Sequence, residues 1–112
     1  MYSELSPDTI LASAGIVGGE TYWTMQPSQT FAAWGDETNA GGSDFDNEIR
    51  SHEITIELYE LMDSPDPNAH KSLQAALDAC GLSWRKRPRE VDIQLRLYMT
   101  IYTYHYTERR PQ

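Results

Sequence analysis

From Glu90 to Tyr106 the chain reads as one long β-strand, and no other feature limits its fold so tightly. Val91, Ile93, Leu95, Leu97, Met99 and Ile101 alternate with Asp92, Gln94, Arg96, Tyr98, Thr100 and Tyr102. A period of two sends successive side chains to opposite faces, so the odd-numbered aliphatic residues are expected to face a core and the even-numbered ones to face outward. At about 3.3 Å per residue the stretch would reach roughly 55 Å unbent. A typical strand has about 5–6 residues. The expectation is a strand that bends, or one whose end extends past its own domain.

Such a strand needs neighbours and a cover. Glu48–Met62 supplies a second strand, with Ile54, Ile56 and Leu58 alternating against Glu53, Thr55, Glu57 and Tyr59. Asp63-Ser64-Pro65-Asp66-Pro67 ends it and opens a helix, because Asp66 suits the N-cap and Pro67 the first helical position. Ala69, Leu73, Ala76, Leu77 and Cys80 fall on one face of that helix, and Gly81 reads as its stop. Ser6-Pro7-Asp8 opens a shorter helix, with Ile10, Leu11 and Ala14 on one face and Gly15 as its end. Val17-Gly18-Gly19 reads as a turn, Thr21–Met25 and Thr30–Trp34 as a hairpin, and Leu82–Arg87 as a short strand before Pro88 turns the chain. Gly35–Asn47, polar and glycine-containing, reads as a flexible loop that orders on assembly. The predicted fold is α+β in a single domain over residues 1–112. It has an antiparallel or mixed sheet of four to five strands, two helices on one face and the long strand at the C-terminus.

The charge is unevenly distributed. Residues 1–66 hold thirteen acids and one base, and residues 67–112 hold eight bases and four acids, so −12 and +4 add to the net −8. A net negative chain is poorly suited to gripping nucleic acid as its main task. The split does suit a protein that binds copies of itself, acidic side to basic side. No apolar run approaches the roughly 20 residues that span a bilayer. The start, Met1–Leu5, lacks the basic and apolar parts of a signal peptide, so a cytosolic origin is expected.

Little points to catalysis, metal or cofactor. Asp44, Asp46 and Glu48 alternate near Gly41 and Gly42, but the EF-hand spacing is missing. His52, His70 and His105 are far apart, with none of the short spacings of zinc sites. Cys80, the single cysteine, is expected on the apolar face of its helix as an unreactive core residue. Gly15–Gly19 has no phosphate-binding pattern, and a nucleophile elbow is absent. The expectation is a protein that is not an enzyme and takes no cofactor.

The candidate residues are therefore those of an interface. Arg85, Lys86, Arg87 and Arg89 form the one basic cluster, and the acids of the 36–48 stretch, Asp36, Glu37, Asp44 and Asp46, are its natural counterpart on another copy. Tyr98, Tyr102, Tyr104 and Tyr106 form a stripe on one side of the last strand, where aromatic rings with polar tips suit either contact with a neighbour or ordinary cross-strand packing on a half-exposed sheet.

Three phrases in order carry a resemblance: Ile54-Thr55-Ile56-Glu57-Leu58-Tyr59 before a proline/aspartate turn, Leu73-Gln74-Ala75-Ala76-Leu77-Asp78-Ala79-Cys80-Gly81-Leu82, and Leu95-Arg96-Leu97-Tyr98-Met99-Thr100-Ile101-Tyr102. Together they resemble the tail-completion or tail-terminator proteins of long-tailed bacteriophages and prophages, over Ser6 to Tyr106. The resemblance implies a compact α+β virion protein of the neck, assembled in the host cytoplasm. Such proteins form a ring, often a hexamer, at the head-proximal end of the tail tube. The implied partners are further copies of the chain, the tail tube protein and the head–tail connector protein, with DNA only passing through the lumen and no membrane. The short first helix and the 35–47 stretch depart from the family pattern and leave room for another neck role, such as a head-completion or stopper protein. From a different class, a small regulatory module that docks a peptide on its sheet edge is the competing reading.

Overall fold

The computed structural model describes residues 5–20, 29–43 and 47–111. Its first helix, α1 (Pro7–Ala14), begins and ends where the sequence directs. The Ser6 hydroxyl accepts the Thr9 N–H at 3.4 Å, Pro7 needs no hydrogen bond at the first position, and Gly15 closes the helix with φ 73°. Ile10 and Leu11 bury the inner face.

The chain then enters β1 (Val17–Glu20), where a turn was expected. Gly18 explains the difference. A Cβ there would lie 2.6 Å from Leu11 Cδ1, so this glycine serves close helix–strand approach and not chain reversal. The expected Thr21–Met25 strand lies outside the described residues. β2 (Phe31–Ser43) pairs parallel with β1, Val17 opposite Phe31 and Glu20 opposite Trp34.

β2 also corrects the expected loop at 35–47. Gly35 through Ala40 pair residue by residue with β3 (Asn47–Leu61), Gly35 opposite Thr55 and Ala40 opposite Arg50, and the register shifts before Ser43 meets Glu48. A strand with little to bury shows no hydrophobic alternation, and the β3 backbone orders it instead. Asp44 and Asp46 lie outside the described residues.

The second helix, α2 (Pro67–Ala79), also follows its caps. Asp66 Oδ1 accepts the Ala69 N–H at 3.1 Å, and Ala69, Leu73, Ala76 and Leu77 are buried. Cys80 is corrected: it caps the helix one position past the last turn and is exposed.

The long strand is corrected as well, into a hairpin. β4 (Trp84–Lys86) and β5 (Glu90–Asp92) both pair antiparallel with one edge of β6 (Leu97–Pro111). Between β4 and β5 the three residues Arg87-Pro88-Arg89 bulge outward, held by the Arg87 N–H to the Ile101 carbonyl at 2.9 Å. Ile93–Arg96 forms the hairpin turn, with Arg96 at φ 56° and the Asp92 carboxylate accepting the Leu95 N–H. Val91, Ile93 and Leu95, expected in the core, are exposed.

The faces of β6 are therefore reversed relative to expectation. Antiparallel pairing places Leu58 opposite Thr100, Ile56 opposite Tyr102 and Ile54 opposite Tyr104. Directly opposed residues share a face, so the tyrosines join the buried side of β3. Among the described residues the sheet has six strands in the order β1-β2-β3-β6-β4, with β5 beside β4 on β6; β1 and β2 are parallel and the other pairs antiparallel. Both helices contribute to one core with Ile54, Ile56, Leu58, Tyr102 and Tyr104. Each fully buried Leu or Ile contributes about 1.5–3 kcal/mol. The fifteen-residue β3–β6 ladder runs along the long axis of a body measuring 54 × 27 × 24 Å. Among the described side chains of β3 and β6, burial on the helix face runs from Glu60 to His52 and from Thr100 to Tyr106. Beyond His52 and Tyr106 the three strands continue as an arm.

Candidate interaction site

The two outer edges of the sheet differ in charge. β1 covers only Phe31–Trp34 of β2. From Gly35 onward that edge carries no further strand among the described residues, and Asp36 and Glu37 lie along it. At the opposite edge β4 and β5 have no outer neighbour among the described residues, and Arg85, Lys86, Arg87 and Arg89 are all exposed there. The edges thus carry opposite signs. Charge on an edge strand prevents indiscriminate pairing, and opposite charges at two edges permit head-to-tail pairing.

Behind the basic edge, the start of α2 and the Arg87–Arg89 bulge enclose a groove of about 560 Å³. Its floor is built on Glu60, the next inward residue after Ile54, Ile56 and Leu58 on β3. A carboxylate this deep is costly unless both oxygens are engaged. Glu60 Oε1 accepts from His70 Nε2 at 2.6 Å, and Oε2 accepts the Asp66 N–H at 2.8 Å. With Nε2 donating, Nδ1 of a neutral imidazole is an acceptor, so the Tyr102 hydroxyl donates to it at 2.7 Å. Gln74 Nε2 donates to the same hydroxyl at 3.0 Å, and Asp66 Oδ2 accepts from the Thr30 hydroxyl at 2.8 Å. This network joins β3, α2 and β6 through polar groups that all find partners. Burial raises the Tyr102 pKa, the Gln74 bond lowers it, and the Glu60 charge raises it again. Tyr102 is fully buried, so its hydroxyl positions the helix and is closed to a substrate.

A second histidine lies where the arm leaves the body. His52 Nδ1 is 2.9 Å from Asp36 Oδ2 on β2, and Nε2 is 2.7 Å from Glu108 Oε1 on β6. The Thr38 hydroxyl donates to Asp36 Oδ1 at 2.9 Å, and the ring stacks on Tyr106 at 4.5 Å and 9°. The two ring nitrogens point apart, so the carboxylates sit on opposite sides of the imidazole and cannot share an ion. No group of three His, Cys, Asp or Glu side chains among the described residues is arranged to hold a metal.

The predicted interface residues divide accordingly. Arg85, Lys86, Arg87 and Arg89 are brought together and exposed, with the Arg89 guanidinium over the Tyr98 ring at 4.0 Å. Tyr98 is half-buried. Tyr102, Tyr104 and Tyr106 are withdrawn from the interface, because all three are buried under the helix side of the sheet. The Tyr104 hydroxyl donates to the Leu5 carbonyl at 2.8 Å, and burial pushes its pKa far above the usual value. Asp36 is committed to His52. Glu37, one residue on, falls on the opposite face of β2 and is exposed. Glu60, His70, His52 and Thr100 are the residues that sequence reasoning missed. The signal for two of them was present, since His52 and Glu60 extend the even-numbered alternation of β3, whereas the place of Thr100 follows only from the β3–β6 pairing.

The face of the sheet away from the helices carries a smaller cluster, where Phe31 stacks on Tyr59 at 4.9 Å. Burial, then the neighbouring Glu57, push the Tyr59 pKa up to about 12. No helix of the described residues is long and apolar enough to cross a membrane. No protein-family model matches this chain, and no curated protein is significantly similar to it in sequence.

Proposed function

We propose that this chain is a non-enzymatic structural subunit of a long-tailed bacteriophage neck, a tail-terminator-like protein that assembles with copies of itself into a ring. The ring, a hexamer by family resemblance, would sit at the head-proximal end of the tail tube, stop its growth and offer a surface to the connector. One observation carries the reading: among the described residues a single subunit presents two different open sheet edges of opposite charge. A contact between unlike surfaces is heterologous, and when its rotation closes it generates a ring. The arm, continuing the β3–β6 ladder beyond the core, gives each subunit reach along its long axis.

The test is negative-stain imaging of purified protein alone and mixed with tail tubes. Rings, free or capping tube ends, are expected. A strict monomer at high concentration that leaves tube ends bare would overturn the reading. Charge reversal of Arg85, Lys86 and Arg87 together is expected to weaken assembly, more at low salt than at high, because screening shortens the range of exposed charges. Unchanged assembly would remove the basic edge from the contact. The same open edges would also accept an extended peptide as an added strand. Absence from virions, with retrieval of a single non-virion partner, would favour that alternative.

A further inference from the structure

The groove behind the basic edge has a donor surplus that the fold does not use. Lys71, Lys86, Arg87 and Arg89 line it, and among the described residues none of these side chains makes an ion pair or hydrogen bond. Arg89 rests on the Tyr98 ring, which holds the guanidinium in place and leaves its N–H groups available. Glu60 also lines the groove, but both its oxygens are occupied by His70 and by the Asp66 N–H. His70 is occupied in turn by Glu60 and Tyr102.

Thr100 is the second observation. It lines the same groove, is 0 % exposed, and its hydroxyl is buried without a hydrogen-bond partner among the described residues. Buried polar groups are nearly always paired, and an orphan in a binding-sized groove marks a place for a missing partner. Four cations and one hydroxyl donor facing a single fully satisfied acid call for an acceptor-rich negative group.

We propose that this groove is an oxyanion site, in which a carboxylate or phosphate group accepts from the Thr100 hydroxyl and lies among Lys71, Lys86, Arg87 and Arg89. The bulge between β4 and β5 creates the site, because it lifts Arg87-Pro88-Arg89 off β6 opposite Thr100. The site goes beyond the ring reading and does not depend on it. An oxyanion can come from an acidic side chain of another copy or from a free phosphate, and the chemistry at Thr100 is the same.

Titration of the full chain with inorganic phosphate, and separately with a synthetic peptide of residues 35–48, tests this by amide chemical-shift changes. Saturable shifts are expected at Thr100, His70, Lys86 and Arg87 with at least one probe. Thr100→Val keeps the shape, removes the orphan hydroxyl and is expected to raise the melting temperature while weakening binding several-fold. Lys86→Gln with Arg87→Gln, both on the surface, should weaken binding at least ten-fold with the melting temperature unchanged. Binding of the peptide alone assigns the oxyanion to a neighbouring copy, and binding of phosphate alone assigns it to a free anion. Either result supports the site. No saturable shift with either probe, or binding undiminished in Thr100→Val, overturns it. Rings that form normally in the Thr100→Val protein leave the assembly reading standing whatever the titration shows.

Discussion

His52 and His70 are both bonded at both nitrogens, yet they do different work. His70 faces one carboxylate and one phenol, so a neutral ring with its proton on Nε2 meets every partner. His52 faces a carboxylate at each nitrogen, an arrangement that is fully donating only when both nitrogens carry protons. The acids differ too. The Glu60 side chain is 2 % exposed, whereas Asp36 and Glu108 are 23 % and 19 % exposed. His70 therefore joins a buried carboxylate to a buried phenol and fixes α2 on the sheet. His52 is a polar tie among β2, β3 and β6 at the root of the arm. One three-stranded ladder is thus held by packing at one end and by a polar cluster at the other.

The comparison breaks most visibly at Glu60. Replacing it with alanine leaves His70 Nε2–H and the Asp66 N–H without their acceptor inside the fold. Leaving a buried donor without its acceptor costs about 1–3 kcal/mol. Urea unfolding of Glu60→Ala is expected to show a loss of that order. A loss below about 1 kcal/mol, the scale of an exposed pair, would mean that helix packing alone holds α2 in place.

Alkali probes the same end of the ladder. Burial raises the pKa of Tyr102 and Tyr104 above the usual value of about 10. The folded state then keeps protons that the unfolded chain has lost, so this stability is intact below about pH 10 and falls as pH rises through the folded values. Tyr59, on the face away from the helices, should ionise at about 12 in ultraviolet difference spectra if the fold persists to that pH. Tyr104→Phe removes one raised group and should flatten the alkaline slope of the melting temperature. At neutral pH it loses the bond to the Leu5 carbonyl, about 1 kcal/mol. An unchanged slope would place the alkaline sensitivity elsewhere.

What was legible in the sequence follows the same division. Helix starts and stops are local chemistry, so Ser6-Pro7, Gly15 and Asp66-Pro67 were readable. The alternation of Ile54, Ile56 and Leu58 was readable because one face of β3 is dry. The face of β6 was not, since two alternations overlap there. The odd-numbered aliphatics run on into Val91, Ile93 and Leu95 across an exposed turn, while the even-numbered tyrosines oppose the β3 core. Only long-range pairing decides between them. The polar strand at 35–43 was hidden for the same reason, because its order comes from β3 and not from its own pattern. The basic cluster was readable as a surface feature, but the groove behind it arises where α2 meets a strand edge, which no spacing encodes.

The smallest effect belongs to His52, and it is the sharpest test of the division. His52→Gln can still hydrogen-bond but cannot place nitrogens against Asp36 and Glu108 on opposite sides of one planar ring. Both acids are partly solvated, so the global loss should be about 1 kcal/mol. The expected signature is local. Amide hydrogen exchange should quicken at Ile49–Ser51 and Thr107–Glu108, where the arm leaves the body, while Ile54, Ile56 and Leu58 keep their protection. That pattern would mean that the arm opens as a unit while the helix-covered end stays closed. Faster exchange spread evenly through Ile54–Leu58 would show instead that His52 supports the core as His70 does, and the ladder would then be one cooperative element from end to end.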